Sequence, residues 1–369
     1  MKRQTVAALL ALLGAAACRR DGGGDPLPPG DYTPKPIEHE LPIPPAERQR
    51  VRADAMRRAK VWHPPATPIP AADLEHNPPG PDTFGITEVV PCRFELKSSD
   101  GRTPKFQCIR AGGEVLKVKY GHNNPETFGE VAATRLVSAL GFGADRMYVV
   151  GTVRCFGCPV FPYPKVEIFD ALRTDPSRAV DFDMAVVERR LPGLEIEGGW
   201  GWPELSAIDD VAGGALRAEV DALRQLAVFL NNWDAKPVNQ RLLCGDATVR
   251  CAEPLAYMQD LGQTFGPKSI DLDGWTRTPV WADPASCRVS MRDLPWQGAS
   301  FEDTAISEPG RLFLGGLLRQ LTAAQVRSLF EGARFTEFFR NRAGADLDAW
   351  TRAFQSRVAQ IADRPPCPQ

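Results

Sequence analysis

The sequence predicts an α+β protein with a small β-rich part followed by a larger, mainly helical part. Short alternating or β-branched segments come first, between residues 92 and 120. Apolar residues at helical spacing dominate residues 215–231, and this spacing returns at residues 311–318 and 323–339. Strands gathered before helices are typical of α+β proteins. With 43% hydrophobic residues, the 369-residue chain has enough apolar side chains for a core.

The β-rich part is predicted from short runs separated by turn residues. Its predicted strands are, in chain order, residues 92–96, 106–110, 115–120, 146–154 and 184–189. Residues 98–101 read Ser-Ser-Asp-Gly, which predicts a turn between the first two strands. Residues 126–140 read as an amphipathic helix that Gly141 ends, so this part carries one helix.

The helical part begins with the long segment at residues 215–231. One face of this predicted helix carries Leu216, Val220, Leu223, Leu226, Ala227 and Leu230. A loop-rich stretch follows, with tryptophans at positions 275, 281 and 296. We expect these three indoles to pack in the core or on the surface of the lobe, with a carbohydrate or peptide platform as the alternative. The sequence shows no internal repeat.

The N-terminus predicts export. Two basic residues precede an apolar run, residues 6–17, that is too short to span a bilayer. The small residues before Cys18 resemble the lipobox of bacterial lipoproteins, although Ala15 stands where that motif prefers leucine. The resemblance implies a signal peptide over residues 1–17 and a lipid on Cys18. Simple secretion with the same cleavage is the alternative.

A tether is predicted between this leader and the folded body. Residues 18–83 hold 15 of the 34 prolines, a composition that favours extended segments and cannot build a core. Within this tether, residues 46–60 could form a short basic helix and residues 61–80 could strap onto the body. The body itself is predicted at residues 84–362, followed by a tail at 363–369. A tether would hold the body away from a membrane surface.

Charge and leader together predict the partners and the location. The formal net charge is −2 at pH 7, which argues against nucleic acid as a partner because phosphate binding needs a basic field. The expected partner is a membrane, reached through an N-terminal lipid anchor, with a protein or small-molecule acceptor left open. The location is then the cell envelope. Arg19 stands where an aspartate commonly marks inner-membrane retention, so the resemblance favours the outer membrane.

The nine cysteines fit the same location. If Cys18 carries lipid, the remaining eight can form four disulfides in an oxidising compartment. From closeness in sequence, and from the need to hold the tail, the expected pairs are Cys92–Cys108, Cys155–Cys158, Cys244–Cys251 and Cys287–Cys367. The C-x-x-C spacing at 155–158 leaves redox chemistry or zinc binding as alternatives to a structural disulfide.

A chemical motif follows the long predicted helix. Residues 231–239 read Asn-Asn-Trp-Asp-Ala-Lys-Pro-Val-Asn, and this D-x-K-P-x-N spacing resembles the catalytic loop of protein kinases. The resemblance implies that Asp234 accepts the proton of a substrate hydroxyl and that Asn239 binds a metal ion. Residues 258–262, Met-Gln-Asp-Leu-Gly, resemble the kinase D-F-G element, which implies that Asp260 binds Mg²⁺.

The same resemblance extends upstream. Residues 115–119 form a predicted strand with lysines at 117 and 119, as in the third strand of the kinase small lobe. It implies that Lys119, or alternatively Lys117, contacts nucleotide phosphates and that Glu130 on the next helix pairs with it. Residues 98–105 form the predicted hairpin tip between the first two strands. Lys105, at its end, is a candidate phosphate contact. The cofactor that the resemblance implies is a Mg-nucleotide, ATP, if the protein is active.

The chain also departs from ordinary kinases. Asn232 and Trp233 replace the His-Arg pair before the catalytic Asp, and neither a G-x-G-x-x-G loop nor an A-P-E element appears. The pattern is closer to divergent kinase-like families, and it implies a two-lobed kinase-like fold over roughly residues 90–265. Three functions stay open at this point. They are a Mg-nucleotide-dependent phosphotransferase, an inactive pseudokinase or binding module, and a disulfide-stapled structural lipoprotein unrelated to kinases.

Overall fold

The computed structural model describes most of the chain, namely residues 26–35, 39–97, 101, 103–162, 175, 177–245, 251–292, 301, 303–340 and 342–368. The predicted signal peptide, Cys18 and Trp296 lie outside these ranges. The described residues form two units. The first unit draws on Met1–Pro36, Asn77–Thr127 and Met147–Arg189, and the second on Ile37–His76, Phe128–Arg146 and Arg190–Gln369.

The first unit is built on a seven-stranded sheet. Its strands are β1 (Val89–Glu95), β2 (Lys105–Ile109), β3 (Val115–Lys119), β4 (Arg146–Val149), β5 (Thr152–Phe156), β6 (Ala179–Asp183) and β7 (Val186–Arg189). Their spatial order is β4-β7-β3-β2-β1-β5-β6. The β1–β5 pair is parallel, whereas β1–β2, β2–β3, β3–β7 and β5–β6 are antiparallel.

Alternation along β2 and β3 separates a core face from a polar face. Phe106 and Leu116 belong to a buried apolar cluster on one face. Because successive strand residues point to opposite faces, Lys105, Lys117 and Lys119 share the other. Lys105 lies directly opposite Lys119 in the β2–β3 register. This polar face therefore carries three lysines near the ends of β2 and β3.

The second unit holds most of the helices. The α-helices of the described residues are α1 (Arg48–Arg58), α2 (Glu126–Ala139), α3 (Arg217–Leu230), α4 (Leu272–Arg277), α5 (Glu308–Leu318), α6 (Ala323–Gly332), α7 (Phe335–Phe338) and α8 (Leu347–Ala362). Of α2, the residues from Phe128 onward count with the second unit. Helix α3 packs against α5, and α8 packs against α4, α5 and α6. Every residue of α3 from Val220 onward is buried, so this helix forms the centre of the unit.

Two small sheets complete the second unit. Strands β8 (Leu194–Ile196), β9 (Gln240–Cys244) and β10 (Pro254–Met258) pair in the order β10-β9-β8, and β11 (Arg288–Val289) pairs with β12 (Thr304–Ala305). The β9–β10 register places Met258 opposite Gln240. The residues that follow β10 therefore lie beside the residues that precede β9. The predicted α+β class, with a β-rich and a mainly helical part, is confirmed.

Two predicted elements are longer than the observed ones, and a glycine or a residue with positive φ lies where each of them is interrupted. The predicted strand at residues 146–154 is two strands, β4 and β5, and Gly151 lies between them at a position where a Cβ would be 2.6 Å from the Thr87 carbonyl oxygen. The predicted helix at residues 323–339 is α6 and α7, separated by Arg334 with φ of 61°. Strand β6 was not predicted. Trp275 and Trp281 are buried, so core packing is the role that the structure gives them.

The structure corrects the predicted tether at residues 18–83. Among its described residues, the segment from 39 to 76 belongs to the second unit, where Leu41 N–H donates to Glu195 O at 2.8 Å. Residues 26–35 belong to the first unit, where Lys35 N–H donates to Gly113 O at 2.9 Å. Apolar side chains spaced among the prolines are buried; they include Tyr32, Leu41, Ile43, Val51, Met56, Val61, Ile69 and Leu74.

The physical reason is that extended proline-rich segments leave their remaining backbone N–H and C=O groups free to bond a neighbouring surface. Their apolar side chains then gain about 25 cal/mol for each Å² removed from water. Within the second unit, Trp62 Nε1–H donates to Leu140 O at 2.7 Å, and the indole lies edge-on to Phe313 at 5.0 Å between ring centroids. The prediction from proline content alone therefore made the unpacked tether too long.

Four disulfides join the described cysteines, in the pairs expected from sequence: Cys92–Cys108, Cys155–Cys158, Cys244–Cys251 and Cys287–Cys367. The last one closes the longest loop and holds the tail at residues 363–368. Several disulfides in one chain are typical of proteins outside the cytoplasm. No helix in the described part of the chain is long and apolar enough to cross a bilayer.

Candidate functional site

A sharp change of direction at the end of α3 presents the motif at residues 231–239. Asn231 adopts a left-handed conformation, with φ of 56°, which ends the helix. Asn232 N–H then donates to Ala227 O at 3.0 Å, and Trp233 N–H donates to Gln263 O at 3.3 Å. The Asp234 backbone is thus held within four residues of a buried helix end.

Two side chains of the motif fix Asp234. Lys236 Nζ lies 2.9 Å from Asp234 Oδ1 and 3.1 Å from Oδ2. Asn239 Nδ2 donates to the Asp234 carbonyl oxygen at 2.7 Å. The Asn239 side chain therefore closes the loop through its amide nitrogen, which leaves its amide oxygen as an acceptor. Proline at 237 begins a 3₁₀ turn, Pro237–Asn239, that leads directly into β9.

Asp260 is brought to the same place by the β9–β10 hairpin. The backbone N–H groups of Gln259 and Asp260 donate to Asn239 O at 2.9 and 3.3 Å. Asp260 Oδ1 accepts the Gly262 N–H at 3.0 Å, a local turn that orients the carboxylate. Residues that are distant in sequence, Asp234 and Asp260, therefore belong to one site, with Asn239 between them.

The close packing of α2 supports the Asp260 segment. A Cβ at Gly129 would lie 3.5 Å from Gly262 O and 3.2 Å from the Ile270 side chain, so α2 packs closely against this segment there. Thr264 Oγ1–H bonds Leu261 O at 3.0 Å, and Thr264 is fully buried. The turn that carries Asp260 is thus held from two sides within the second unit.

The electrostatics of Asp234 fit a group that exchanges protons. Burial raises the pKa of the Asp234 carboxyl, because the ionised form loses hydration. The hydrogen bond and the charge of Lys236 oppose this shift, and the nearby Asp260 carboxylate adds to it. The net result is a pKa above the usual aspartate range. Its partial burial, with 19% of the side chain exposed, keeps it within reach of a ligand.

The donor set of this site fits a magnesium ion. Asp260, Asp234 and the amide of Asn239 offer carboxylate and carbonyl oxygens, which are the hard ligands that Mg²⁺ prefers. Next to Asp234 in sequence, Asn232 Oδ1 and Trp233 Nε1 are buried with no hydrogen-bond partner among the described residues. Buried polar atoms of this kind are commonly satisfied by ligand or water. The described residues contain no group of three or more His, Cys, Asp or Glu side chains that could hold a metal ion, so Mg²⁺ here would be held by two carboxylates and one amide oxygen and completed by water.

The first unit presents a second cluster, centred on Lys119. This side chain is only 1% exposed and lies between two carboxylates. Its Nζ is 3.3 Å from Glu188 Oε2 and 3.5 Å from Glu126 Oε2. Glu126 also accepts the Thr103 hydroxyl at 2.7 Å, which ties the base of the predicted hairpin tip to the start of α2. Lys117 Nζ lies 2.7 Å from Glu188 Oε1 and is 37% exposed.

Glu188 is held in its ionised form by this arrangement. Burial alone would raise the pKa of Glu188, but the charges and hydrogen bonds of Lys117 and Lys119 outweigh it. The pKa of this carboxyl consequently lies well below its usual range. One carboxylate therefore serves two lysines across the β3–β7 ladder, where Lys117 is directly opposite Glu188.

This lowered pKa predicts an acid-labile contribution to stability. A carboxyl whose pKa falls on folding stabilises the native state above its unfolded pKa of about 4.3, and this contribution disappears as pH falls through the lowered folded value. We expect the difference in unfolding free energy between wild type and Glu188→Gln to be largest near pH 7 and to shrink below about pH 4. Urea unfolding measured from pH 7 to pH 2.5 checks this. Glu197→Gln, at a 55% exposed side chain, is the control and should leave the shape of the curve unchanged. A constant difference for Glu188→Gln would contradict the interpretation.

The remaining predicted contacts have these positions. Glu130 is 1% exposed on α2 and belongs to the second unit, and its pairing with Lys119 stays a prediction. Lys105 is opposite Lys119 on the polar sheet face, and its phosphate contact also stays a prediction. Residues 98–100 and 102 of the hairpin tip lie outside the described residues.

Sequence reasoning missed the carboxylates that flank Lys119. Glu188 is far along the chain, and only the antiparallel pairing of β3 with β7 makes it a neighbour. Glu126 stands at the first position of α2, where acidic residues are common for helix-dipole reasons alone. Lys236 was part of the quoted motif, but its ion pair with Asp234 was not predicted. The lysine-proline spacing was the one signal that could have indicated it.

Comparisons with known proteins show no family for this chain. No protein-family model matches the chain, and no curated protein sequence matches it. Among solved structures, the chain is similar to the crystal structure of a Helicobacter pylori proinflammatory kinase, CtkA. The two are 13% identical with a TM-score of 0.42, over 76% of this chain and 96% of that one. The case for a function rests instead on the contacts of Asp234, Asn239 and Asp260.

Proposed function

We propose that this protein is a kinase-like phosphotransferase of the cell envelope that moves a phosphoryl group from a Mg-nucleotide to a hydroxyl acceptor. One observation carries the proposal: Asp234, Asn239 and Asp260 meet at one junction, although the β9–β10 hairpin separates Asp260 from the other two in sequence. A scaffold protein has no need to gather two carboxylates and an amide at a polar turn. Phosphoryl transfer needs such a set of groups, because it depends on positioning and charge stabilisation.

Asp234 and Lys236 of the second unit would have different roles in this reaction. Asp234 would accept the proton of the acceptor hydroxyl while that oxygen forms a bond to the γ-phosphorus. The bond from this phosphorus to the bridging oxygen breaks, and the nucleoside diphosphate leaves with the electron pair. Lys236, paired with Asp234, would hold the carboxylate in place and moderate its raised pKa.

Asn239 and Asp260 would hold the metal ion. When bound, Mg²⁺ would neutralise charge on the nucleotide phosphates. Asn239 would contribute its amide oxygen, because its nitrogen is committed to the Asp234 carbonyl. In the first unit, Lys119 and its neighbour Lys105 on the same sheet face are proposed phosphate contacts, and Glu130 is a proposed partner of Lys119. These three roles come from the resemblance of the motifs.

The location belongs to the same proposal. Four disulfides support folding outside the cytoplasm, and the leader sequence supports a lipid at Cys18 that anchors the chain to a membrane, with the outer membrane favoured. The acceptor would then be a protein or small molecule of the envelope. The sequence offers no basic field for nucleic acid, since the formal net charge is −2.

A binding module is the second candidate, and the disulfides favour it. An oxidising compartment outside the cytoplasm holds little nucleotide, so the same residues could serve ligand or partner binding without turnover. The two candidates share the prediction of Mg-nucleotide binding and differ in catalysis.

Turnover of ATP to ADP by the full chain separates them. With water as the acceptor, we expect Mg²⁺-dependent ADP formation that Asp234→Asn lowers by about 10²-fold or more, because general-base catalysis contributes about 10²- to 10⁴-fold. Asp234→Asn should still bind Mg-nucleotide. Asp210→Asn, at an exposed position outside the site, is the control and should match wild type. Binding without ADP formation would favour the module, and equal turnover by Asp234→Asn would contradict the role of Asp234.

A further inference from the structure

Arg357 is a buried cation that the proposed chemistry does not use. It lies on α8 and is 1% exposed. Among the described residues, no carboxylate pairs with it. Burial lowers the pKa of its guanidinium to about 9, so it remains protonated at neutral pH. An uncompensated buried charge is costly, so its partners must be strong dipoles.

Those partners are four backbone carbonyl oxygens. Arg357 Nη2 and Nε donate to Val228 O at 3.0 Å and Phe229 O at 3.1 Å, both in the last turn of α3. Its Nη1 donates to Trp275 O at 2.8 Å and Thr278 O at 2.6 Å, at the end of α4. The carbonyls of a helix C-terminus carry partial negative charge and lack partners within the helix. One guanidinium thus caps the ends of two helices.

Aromatic rings enclose this contact. The guanidinium carbon lies 5.1 Å from the Trp275 ring centroid and 5.7 Å from that of Phe229. Trp275 Nε1–H also donates to Phe229 O, at 2.9 Å. The end of α3 is therefore fixed by directional bonds from two side chains in a dry environment, where hydrogen bonds are strongest.

Two segments of the candidate site meet at this helix end: the Asp234 arm, residues 231–239, and the Asp260 arm, residues 260–265. The motif at residues 231–239 follows α3 without a break. The segment after Asp260 returns to the same turn, because Phe265 N–H donates to Leu230 O at 2.8 Å. The Phe265 ring packs edge-on against Trp275, with 5.2 Å between centroids. A shift of the last turn of α3 would therefore move the Asp234 arm and the Asp260 arm together.

We propose that Arg357 is a positioning residue that sets the geometry between Asp234 and Asp260 by capping the end of α3. The proposal rests on the proposed function for its catalytic meaning, while its structural part stands on the contacts alone. A planar guanidinium can reach four carbonyls at once, which an ammonium cannot. Lysine at this position should therefore act as a partial substitute, and methionine, without charge or donors, as none.

Amide hydrogen exchange of the full chain tests this without any activity. We expect Arg357→Met to speed exchange about tenfold at residues 228–234 and 260–265, because the carbonyls at the end of α3 lose their hydrogen bonds to a charged group. Arg357→Lys should give a smaller increase at the same residues. The concentration of Mg-ATP needed for half-maximal thermal stabilisation should rise in the same order.

Arg311→Met is the matched control. Arg311 is also buried, at 3% exposure, but among the described residues its hydrogen bonds go to Glu308 on its own helix and to Ile361 O and Ala362 O at the end of α8, and none goes to α3. In Arg311→Met, faster amide hydrogen exchange should be confined to α5 and α8. A uniform increase across the second unit in Arg357→Met, or no increase at residues 228–234 and 260–265, would overturn the proposal. If Arg357→Met does not fold, Arg357→Lys decides by the same criterion. If wild type does not respond to Mg-ATP, the proposed function fails, while the exchange result still decides the structural role.

Discussion

Replacing Asp260 by asparagine should remove most of the stabilisation that Mg²⁺ and ATP together confer on the protein. Asp260 is one of the two carboxylates of the site and Asn239 is neutral, so replacing Asp260 removes a large part of the negative charge that can attract Mg²⁺. Asparagine can still accept the Gly262 N–H, so the turn should survive. At a ligand concentration one hundred times the Kd, wild type should gain about 2.7 kcal/mol, and Asp260→Asn less than about 1 kcal/mol. Turnover should fall by about 10²-fold or more in parallel.

Thermal unfolding of both proteins with ATP, in Mg²⁺ and in EDTA, measures the first effect. Asp273→Asn is the control, since this residue is exposed on α4, close to Asp260 in sequence. It removes the same charge without touching the site and should behave as wild type. If Asp260→Asn kept the full Mg²⁺-dependent shift, Asp260 would not be a metal ligand.

Replacing Lys119 by methionine should destabilise the protein by about 3–5 kcal/mol at pH 7, because removing one partner of a buried ion pair leaves the other charge buried and uncompensated. Glu126 and Glu188 both lie within 3.5 Å of Lys119 Nζ, so two buried carboxylates lose a cation, although Glu188 keeps Lys117 at 2.7 Å. Methionine retains much of the aliphatic volume of lysine, so the loss reports charge rather than a cavity. Urea unfolding at pH 7 measures the effect.

Lys117→Met is the matched control on the same strand. Lys117 shares Glu188 but is 37% exposed, so solvent screens its charge and its loss should cost about 1 kcal/mol or less. Combining Lys119→Met with Glu188→Gln should recover part of the loss, because a neutral amide is less costly to bury than a carboxylate. If Lys119→Met cost no more than Lys117→Met, the buried cluster would not be the strong electrostatic element that its geometry indicates.

The elements near one another in sequence were predictable, and the long-range pairings were not. Period-two alternation indicated β2 and β3, and helical spacing indicated α3 within two residues at either end. The parallel pairing of β1 with β5 and the neighbourhood of β3 and β7 depend on which strands meet, which local patterns do not encode. The seven-stranded sheet therefore could not be predicted from the pattern of each segment alone.

The same limit applies to the candidate site. The catalytic-loop spacing located Asp234 and Asn239, because both lie in one loop whose ends are fixed by a helix and a strand. Asp260 joined them through a local hairpin, which sequence can indicate. The partners of Lys119 were harder, since Glu188 becomes a neighbour only when β7 pairs with β3. Arg357 carried no signal at all, as its partners are backbone carbonyls that any sequence would supply.

The tether shows the opposite error, in which composition was given too much weight. Proline excludes helix and central strand, but it does not prevent an extended segment from packing on a surface. Apolar residues at 41, 43, 61 and 69 were visible in the sequence, and all four are buried. Counting these residues beside the prolines would have predicted an ordered strap from about residue 39 onward.

The most direct test of a metal-dependent nucleotide site is a thermal-unfolding titration of the wild-type chain with ATP, performed once with Mg²⁺ and once with EDTA. We predict a saturable rise in the unfolding temperature with Mg²⁺ that corresponds to about 2–4 kcal/mol at saturation, and a much smaller rise with EDTA. No rise with Mg²⁺ at millimolar ATP, or an equal rise in EDTA, would contradict the assignment of Asp234, Asn239 and Asp260.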